Sequence, residues 1–255
     1  MTGASPRGRS HDTTGEAAVT HHAGDVAMLS VPGESGSAVG DAAGDPMWDV
    51  ETAALVRLAA VLAGGTEVQV EAQLRAAAGG PLGTDAGEVV RAAWVEEVVL
   101  QTYLFAGFPR ALNGMRAWRS VSGRPAPTDD AGARARSRWG EDGQRTCGAV
   151  YGAYYPRLRA HVQALHPALD AWMLEEGYGK VLSREALDLP RRELCIVAAC
   201  AATRQLRQLR AHLRGALQVG VSGRVVAAAL DALASVVPEV MLAEAREVWG
   251  QVHGG

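Results

Sequence analysis

The chain has 255 residues, 48% of them apolar and 5% aromatic, and a formal net charge of -3 at neutral pH. That length suffices for one large core or two small ones, and a composition rich in Ala, Val and Leu but poor in aromatics favours packed helices over sandwiched sheets. The slightly acidic balance supplies no basic field for nucleic acid or an anionic membrane. Cys147, Cys195 and Cys200 make no framework of pairs, no apolar signal core follows a basic start, and no apolar run approaches the roughly 20 residues that cross a bilayer. An all-α, cytoplasmic protein with neither a nucleic-acid nor a membrane partner is the expectation.

Residues 1–46 hold Gly, Ser, Ala, Thr and scattered charge without a helical or alternating period, the composition of a disordered tail. His21 and His22 lack a third ligand at metal-binding spacing, so the pair reads as solvated. Residues 47–118 form the first helical block. Leu55, Leu58, Val61 and Leu62 recur at helical spacing, as do Val68, Ala72 and Ala76 with Leu74 flanking, which predicts two helices separated at Gly64-Gly65, the second stopped by Gly79-Gly80-Pro81. Further helices are expected over Glu88 to Leu104 and Pro109 to Trp118. Residues 119–145, with Gly123, Pro125, Pro127, Asp129, Asp130 and the alternating Arg134, Arg136 and Arg138, have the composition of a linker.

Residues 146–252 form the second block. A helix is expected from Pro156 through Glu176, stopped by Gly177, with Leu158, Val162, Leu165, Leu169, Trp172 and Met173 as its core stripe. His161 and His166 have no ligand spacing, and the His166-Pro167 step reads as structural. Asp188 and Pro190 start the next helix, which carries Glu193 and then a run, Leu194 to Ala202, that is small and apolar on nearly every face and therefore central. In the helix that follows, the leucines 206, 209, 213 and 217 with Ala216 make one stripe. At about 100° per residue, Gln205, Gln208 and His212 line its edge. Periodicity alone leaves this row open between a polar boundary and a site, and leaves Glu193 open between a site role and helix-end electrostatics beside Arg191 and Arg192.

An ordered set of segments narrows the choice. Tyr178 to Arg184, Leu187-Asp188-Leu189, Arg192-Glu193-Leu194, Gln208 to Leu217 and Gly220-Val221 together resemble the carboxymuconolactone decarboxylase family, over about 70 to 100 residues. In the wider alkylhydroperoxidase-like superfamily a glutamate stands 19 positions before a histidine, as Glu193 stands before His212. The resemblance implies an all-α helical bundle in which His212 and Glu193 are the catalytic pair of a carboxy-lyase-like or lactone-processing enzyme, without metal or other cofactor. It further implies proton chemistry on a small acidic substrate, a carboxylated lactone or oxo-acid, with Gln205 and Gln208 hydrogen-bonding substrate oxygens. Arg184 is a candidate clamp for the substrate carboxylate, set against a salt bridge to Glu185 or Asp188. The peroxidase branch carries Cys-x-x-Cys where this chain has Gln205 and Gln208, which removes both the attacking and the resolving thiol. Cys195 and Cys200, five positions apart on one helix, read as buried small residues.

The first block resembles the second. Laying Gln73 over His212 puts Leu55 on Leu194, Ala59-Ala60 on Ala198-Ala199, Gln69 on Gln208 and Ala77 on Ala216, with Ala54 in place of Glu193. The expected architecture is a fused tandem of two pseudo-repeats, the first degenerate, associating as a homotrimer or other homo-oligomer. A peroxide-reducing enzyme and a non-catalytic ligand-binding or scaffold protein are the alternatives.

Overall fold

The computed structural model describes residues 44–79 and 89–254. The tail at 1–43 with His21 and His22, the Gly80-Pro81 stop and the expected helix start at Glu88 lie outside the described residues. Among the described residues every regular element is helical. In chain order these are α1 (Val50–Gly64), α2 (Glu67–Ala77), α3 (Ala92–Ala106), α4 (Phe108–Ser122), α5 (Trp139–Tyr151), α6 (Tyr155–Leu165) and α7 (Pro167–Trp172). After a π-helical segment, Met173–Leu182, come α8 (Leu189–Ala202), α9 (Leu206–Gln218), α10 (Gly223–Ala232) and α11 (Glu239–His253).

Two helices occupy the centre, and both begin on an aspartate. Asp49 Oδ1 accepts from Thr52 N at 2.7 Å and Asp188 Oδ1 accepts from Arg191 N at 3.0 Å, each satisfying an amide that the first turn leaves unpaired. Nearly all of α1 from Ala54 onward is buried, and every residue of α8 from Arg192 to Ala201. The two helices lie side by side and run the same way. At their starts Arg191 Nε donates to Thr52 Oγ1 at 2.9 Å; at their ends a Cβ on Gly64 would fall 2.5 Å from the carbonyl oxygen of Ala202. The helices that follow each of them, α2 and α9, complete one continuous apolar core together with α3, α4, α5, α10 and α11.

Several sequence-based expectations give way to packing. In α2 the buried residues are Val70, Leu74 and Ala77, while Val68 is 78% exposed; Leu74, the largest apolar side chain of that helix, sets the buried face, and the alanines contribute too little area to oppose it. The stretch read as linker contains α5 from Trp139 onward, with Asp142 and Gly143 buried. The arginines preceding it are partly engaged: Arg134 Nε donates to Asp142 Oδ2 at 3.1 Å and its Nη1 to Glu185 Oε1 at 2.9 Å, and Arg134, followed by Arg145, holds the Asp142 carboxyl below the usual range.

The long helix expected from Pro156 to Glu176 is broken at His166, whose extended backbone suits a residue before proline. His166 Nδ1 caps α7 by accepting from Ala168 N at 3.0 Å, so the step is structural. The chain then passes through Gly177 without stopping, in wide π-helical turns. Close backbone contact with α5 shapes this segment: a Cβ on Gly179 would sit 1.9 Å from Trp139 O, and one on Gly143 2.0 Å from Leu174 O. The apolar stripe assigned to the core is largely outside it, since Leu165, Leu169 and Trp172 are exposed.

The centre also holds charge. Arg192, fully buried, donates from Nη2 to Glu97 Oε2 at 2.7 Å, from Nη1 to Gln101 Oε1 at 3.3 Å and from Nε to Leu187 O at 3.1 Å, while Gln101 Nε2 returns a bond to Arg192 O at 3.1 Å. Removing one partner of such a pair strands the other in a low-dielectric interior. Glu97→Ala is expected to cost about 3–5 kcal/mol in urea-unfolding free energy, and Glu97→Gln less, because its amide oxygen still accepts. A loss below about 1 kcal/mol for Glu97→Ala would mean that water reaches Arg192 and solvates it.

Candidate functional site

The site is assembled from three directions. Asp188 and Pro190 start α8 so that Glu193 falls in its second turn, facing α9. On α9, Leu209, Leu213 and Ala216 face the core and carry His212 to its edge. Glu193 Oε2 and His212 Nδ1 are 2.8 Å apart, with the carboxylate fully buried and the imidazole side chain 8% exposed. Gly215, one turn after His212, leaves room for the carboxylate: a Cβ there would meet Val150 Cγ1 at 2.7 Å and Glu193 Oε2 at 2.8 Å.

Aromatic rings flank the imidazole. Phe105 of α3 meets it edge-on at 5.9 Å between ring centroids, and Tyr151 at the end of α5 does so at 6.5 Å. Tyr178 of the π-helical segment packs edge-on against Tyr151 at 6.2 Å. Burial above all, with the nearby Glu193 carboxylate adding to it, pushes the phenols of both tyrosines above their ordinary values. Sequence reasoning does not bring these three rings to the site. With two phenylalanines and five tyrosines in the chain, their scarcity is a signal, but nothing local ties them to His212.

Glu193 Oε1 has no hydrogen-bond partner and is the one such buried side-chain atom among the described residues. Its partner oxygen accepts from Nδ1–H, a tautomer assigned from the carboxylate's inability to donate. That leaves the lone pair on His212 Nε2, which no protein group among the described residues engages. The arrangement can therefore accept a proton at Nε2 and return it, with Glu193 fixing the ring and balancing the imidazolium.

The remaining candidates are placed differently. Gln205 caps α9 through its backbone and is exposed, as is Gln208, one turn before His212 on the same side of the helix. Arg184 does not stand free to clamp a substrate. Its Nε donates to Glu97 Oε1 and Oε2 at 3.0 and 2.9 Å, and Nη1 and Nη2 donate to Asp130 at 3.0 and 2.8 Å. Neither Glu185 nor Asp188 is its partner: Glu185 pairs with Arg134 and Asp188 with Arg191. Asp130 and Glu97 lie 54 and 87 positions away, beyond local reading.

The three cysteines are free and buried, and burial pushes each thiol up to about 12. Among the described residues no group of three or more His, Cys, Asp or Glu side chains is arranged to hold a metal ion, and no helix is long and apolar enough to cross a membrane.

The chain is 26% identical over 159 residues to Peroxisomal protein 2 of Saccharomyces cerevisiae, covering 52% of this chain and 56% of that protein. It is 31% identical over 139 residues to Peroxisomal protein 2 of Schizosaccharomyces pombe, covering 53% of this chain and 64% of that protein. The match thus spans between half and two thirds of these relatives. Their names overturn the cytoplasmic expectation, which rested on composition and on the character of the N-terminal residues, neither of which distinguishes the cytosol from an organelle. Residues 167–246, the stretch that carries Glu193 and His212, match the Carboxymuconolactone decarboxylase family.

Proposed function

We propose that the chain is a cofactor-free enzyme that moves a proton on a small carboxylated lactone or oxo-acid, with His212 as the catalytic group and Glu193 as its positioning residue. The observation that carries this reading is the buried pair itself, Oε2 to Nδ1 at 2.8 Å, with an orphaned carboxylate oxygen beside it. Such a pair is a poor way to gain stability, because desolvating both groups offsets their attraction. The flanking rings of Phe105 and Tyr151, and the place of both groups inside the segment that matches the family, support a chemical role.

In this reading, breaking the bond to carbon dioxide leaves its electron pair on the substrate carbon, delocalised into the adjoining unsaturated system. His212, protonated at Nε2 from the substrate acid or water, gives that proton to the carbon and returns to the neutral form. Glu193 keeps Nδ1–H in place throughout. Gln208, one turn away and exposed, and Gln205 at the helix start would hydrogen-bond substrate oxygens. Arg184 has no part in binding.

The first block is proposed to be a worn copy of the second. Its Asp49 caps α1 as Asp188 caps α8, while Ala54 and Gln73 take the places of Glu193 and His212. The exposed Leu165, Leu169 and Trp172 support a homo-oligomer that covers them. A peroxide-reducing reading is disfavoured because a thiol held near 12 supplies almost no thiolate at neutral pH.

Two measurements test this. A panel of small oxo-acids and carboxylated lactones, followed by carbon dioxide release and solvent deuterium uptake, is expected to give a substrate for wild type and a loss of about 10²–10⁴-fold for His212→Gln, whose amide can still donate to Glu193. Turnover unchanged in that variant would remove His212 from the mechanism. For the thiols, an aromatic disulfide reagent at mildly alkaline pH is expected to leave all three cysteines of the native protein unmodified and to react with them in denaturant; rapid native reaction, with thiol-dependent peroxide consumption, would restore the peroxidase reading.

A further inference from the structure

Among the 25 lysine and arginine residues of the chain, Lys180 is the single lysine. It lies on the π-helical segment, its ammonium 5.4 Å from the ring centre of Trp139 and 5.5 Å from that of Tyr103. A carboxylate oxygen, Glu176 Oε2, is 4.0 Å away and accepts instead from the Tyr103 hydroxyl. Among the described residues no acceptor hydrogen-bonds Lys180 Nζ.

This ammonium borders a cavity of about 300 Å³ whose other walls include Leu100, Phe108, Leu112 and Met115. Three of those, Leu100, Phe108 and Leu112, are exposed large apolar side chains. The other charged lining groups are already matched: Arg184 by Glu97 and Asp130, Asp130 by Arg184, and Arg134 by Asp142 and Glu185. Neither Glu193, His212, Phe105 nor Tyr151 lines the cavity.

We propose that this cavity is a second ligand site, which takes a small amphipathic monocarboxylate with its hydrocarbon body against the Leu100, Phe108, Leu112 and Met115 wall and its carboxylate on Lys180 Nζ. The volume is at the lower end of the range for small-molecule pockets. Lys180 Nζ has one ion-pair partner, Glu176 Oε2 at 4.0 Å, and that oxygen also accepts from the Tyr103 hydroxyl, so the ammonium's N–H donors are open to a nearer carboxylate. A dianion would add a second negative charge beside Glu176 and an apolar wall, and a neutral chain would gain no charge-assisted hydrogen bond from the ammonium. The aromatic faces of Trp139 and Tyr103 hold the ammonium in place while its N–H donors remain available.

Octanoate serves as the probe, titrated calorimetrically into the full chain at low salt, with octanol and octylamine as controls. Lys180→Gln is expected to weaken octanoate about tenfold, the value of one charge-assisted hydrogen bond, and to leave octanol unchanged. Leu112→Glu, at a half-exposed position that tolerates charge, is expected to abolish octanoate binding; His212→Gln is expected to leave it intact, which separates this site from the proposed catalytic one. Failure of octanoate to bind, equal affinity in wild type and Lys180→Gln, tighter binding of octylamine, or loss of binding in His212→Gln would each overturn the proposal. Because the chain has one lysine, reductive methylation with labelled formaldehyde gives a lysine resonance that reports only this position, and its shift on octanoate addition is the confirming signal.

Discussion

Burying Arg192 is the constraint on which the rest of the arrangement depends. A guanidinium without solvent contact requires a carboxylate and further acceptors, and α3 supplies them through Glu97 and Gln101. Burial pulls Arg192 below its ordinary value, and Glu97 opposes that shift. Because the same Glu97 also receives Arg184, one carboxylate fixes α3 against both the start of α8 and the turn preceding it. Phe105, two turns further along α3, is thereby brought to the imidazole of His212. Helix α3 therefore supplies a wall of the candidate site through Phe105.

Once α3 is fixed, the imidazole and carboxylate occupy an unusual balance. Glu193 accepts one bond where a buried carboxylate has capacity for several, and its second oxygen is unsatisfied. A structure selected for stability alone would replace such a group with an apolar side chain of similar volume. The neighbouring side chains sharpen the effect: the tyrosines and cysteines around it are held neutral by burial, so the local electrostatics are set by Glu193 and by whatever proton His212 holds.

Much of this is legible in the sequence, for definable reasons. The helical class follows from composition, and the central position of α8 from a run with no polar face. The pairing of Glu193 with His212 is legible only through the family resemblance, which sets a glutamate 19 positions before a histidine; a helix, a short turn and a second helix bring the two into contact. Expectations fail where partners are remote or backbones meet. Arg184 is claimed by Glu97 and Asp130 across long sequence separations, the α5 start is hidden inside a glycine- and arginine-rich stretch, and the π-helical segment packs against α5 through close backbone contacts at Gly143 and Gly179. The face of α2 is misread because alanines at helical spacing carry the pattern of burial without much of its energy.

The π-helical segment adjoins both the candidate site and the outer cavity. Widening the helix lets ten residues run through Gly177 and Gly179 while keeping Tyr178 directed inward and Lys180 toward that cavity. An ordinary helix would rotate each successive residue by about 100°, and the tighter turn would change the positions of both side chains relative to α5. The glycines at 143 and 179 permit the backbones to approach; the wide turn then sets Tyr178 against Tyr151, beside His212, and Lys180 over Trp139. One irregular segment thus places a ring behind the catalytic candidate and a cation beside the second cavity, and a single constraint, the close packing of α5 on this segment, governs both.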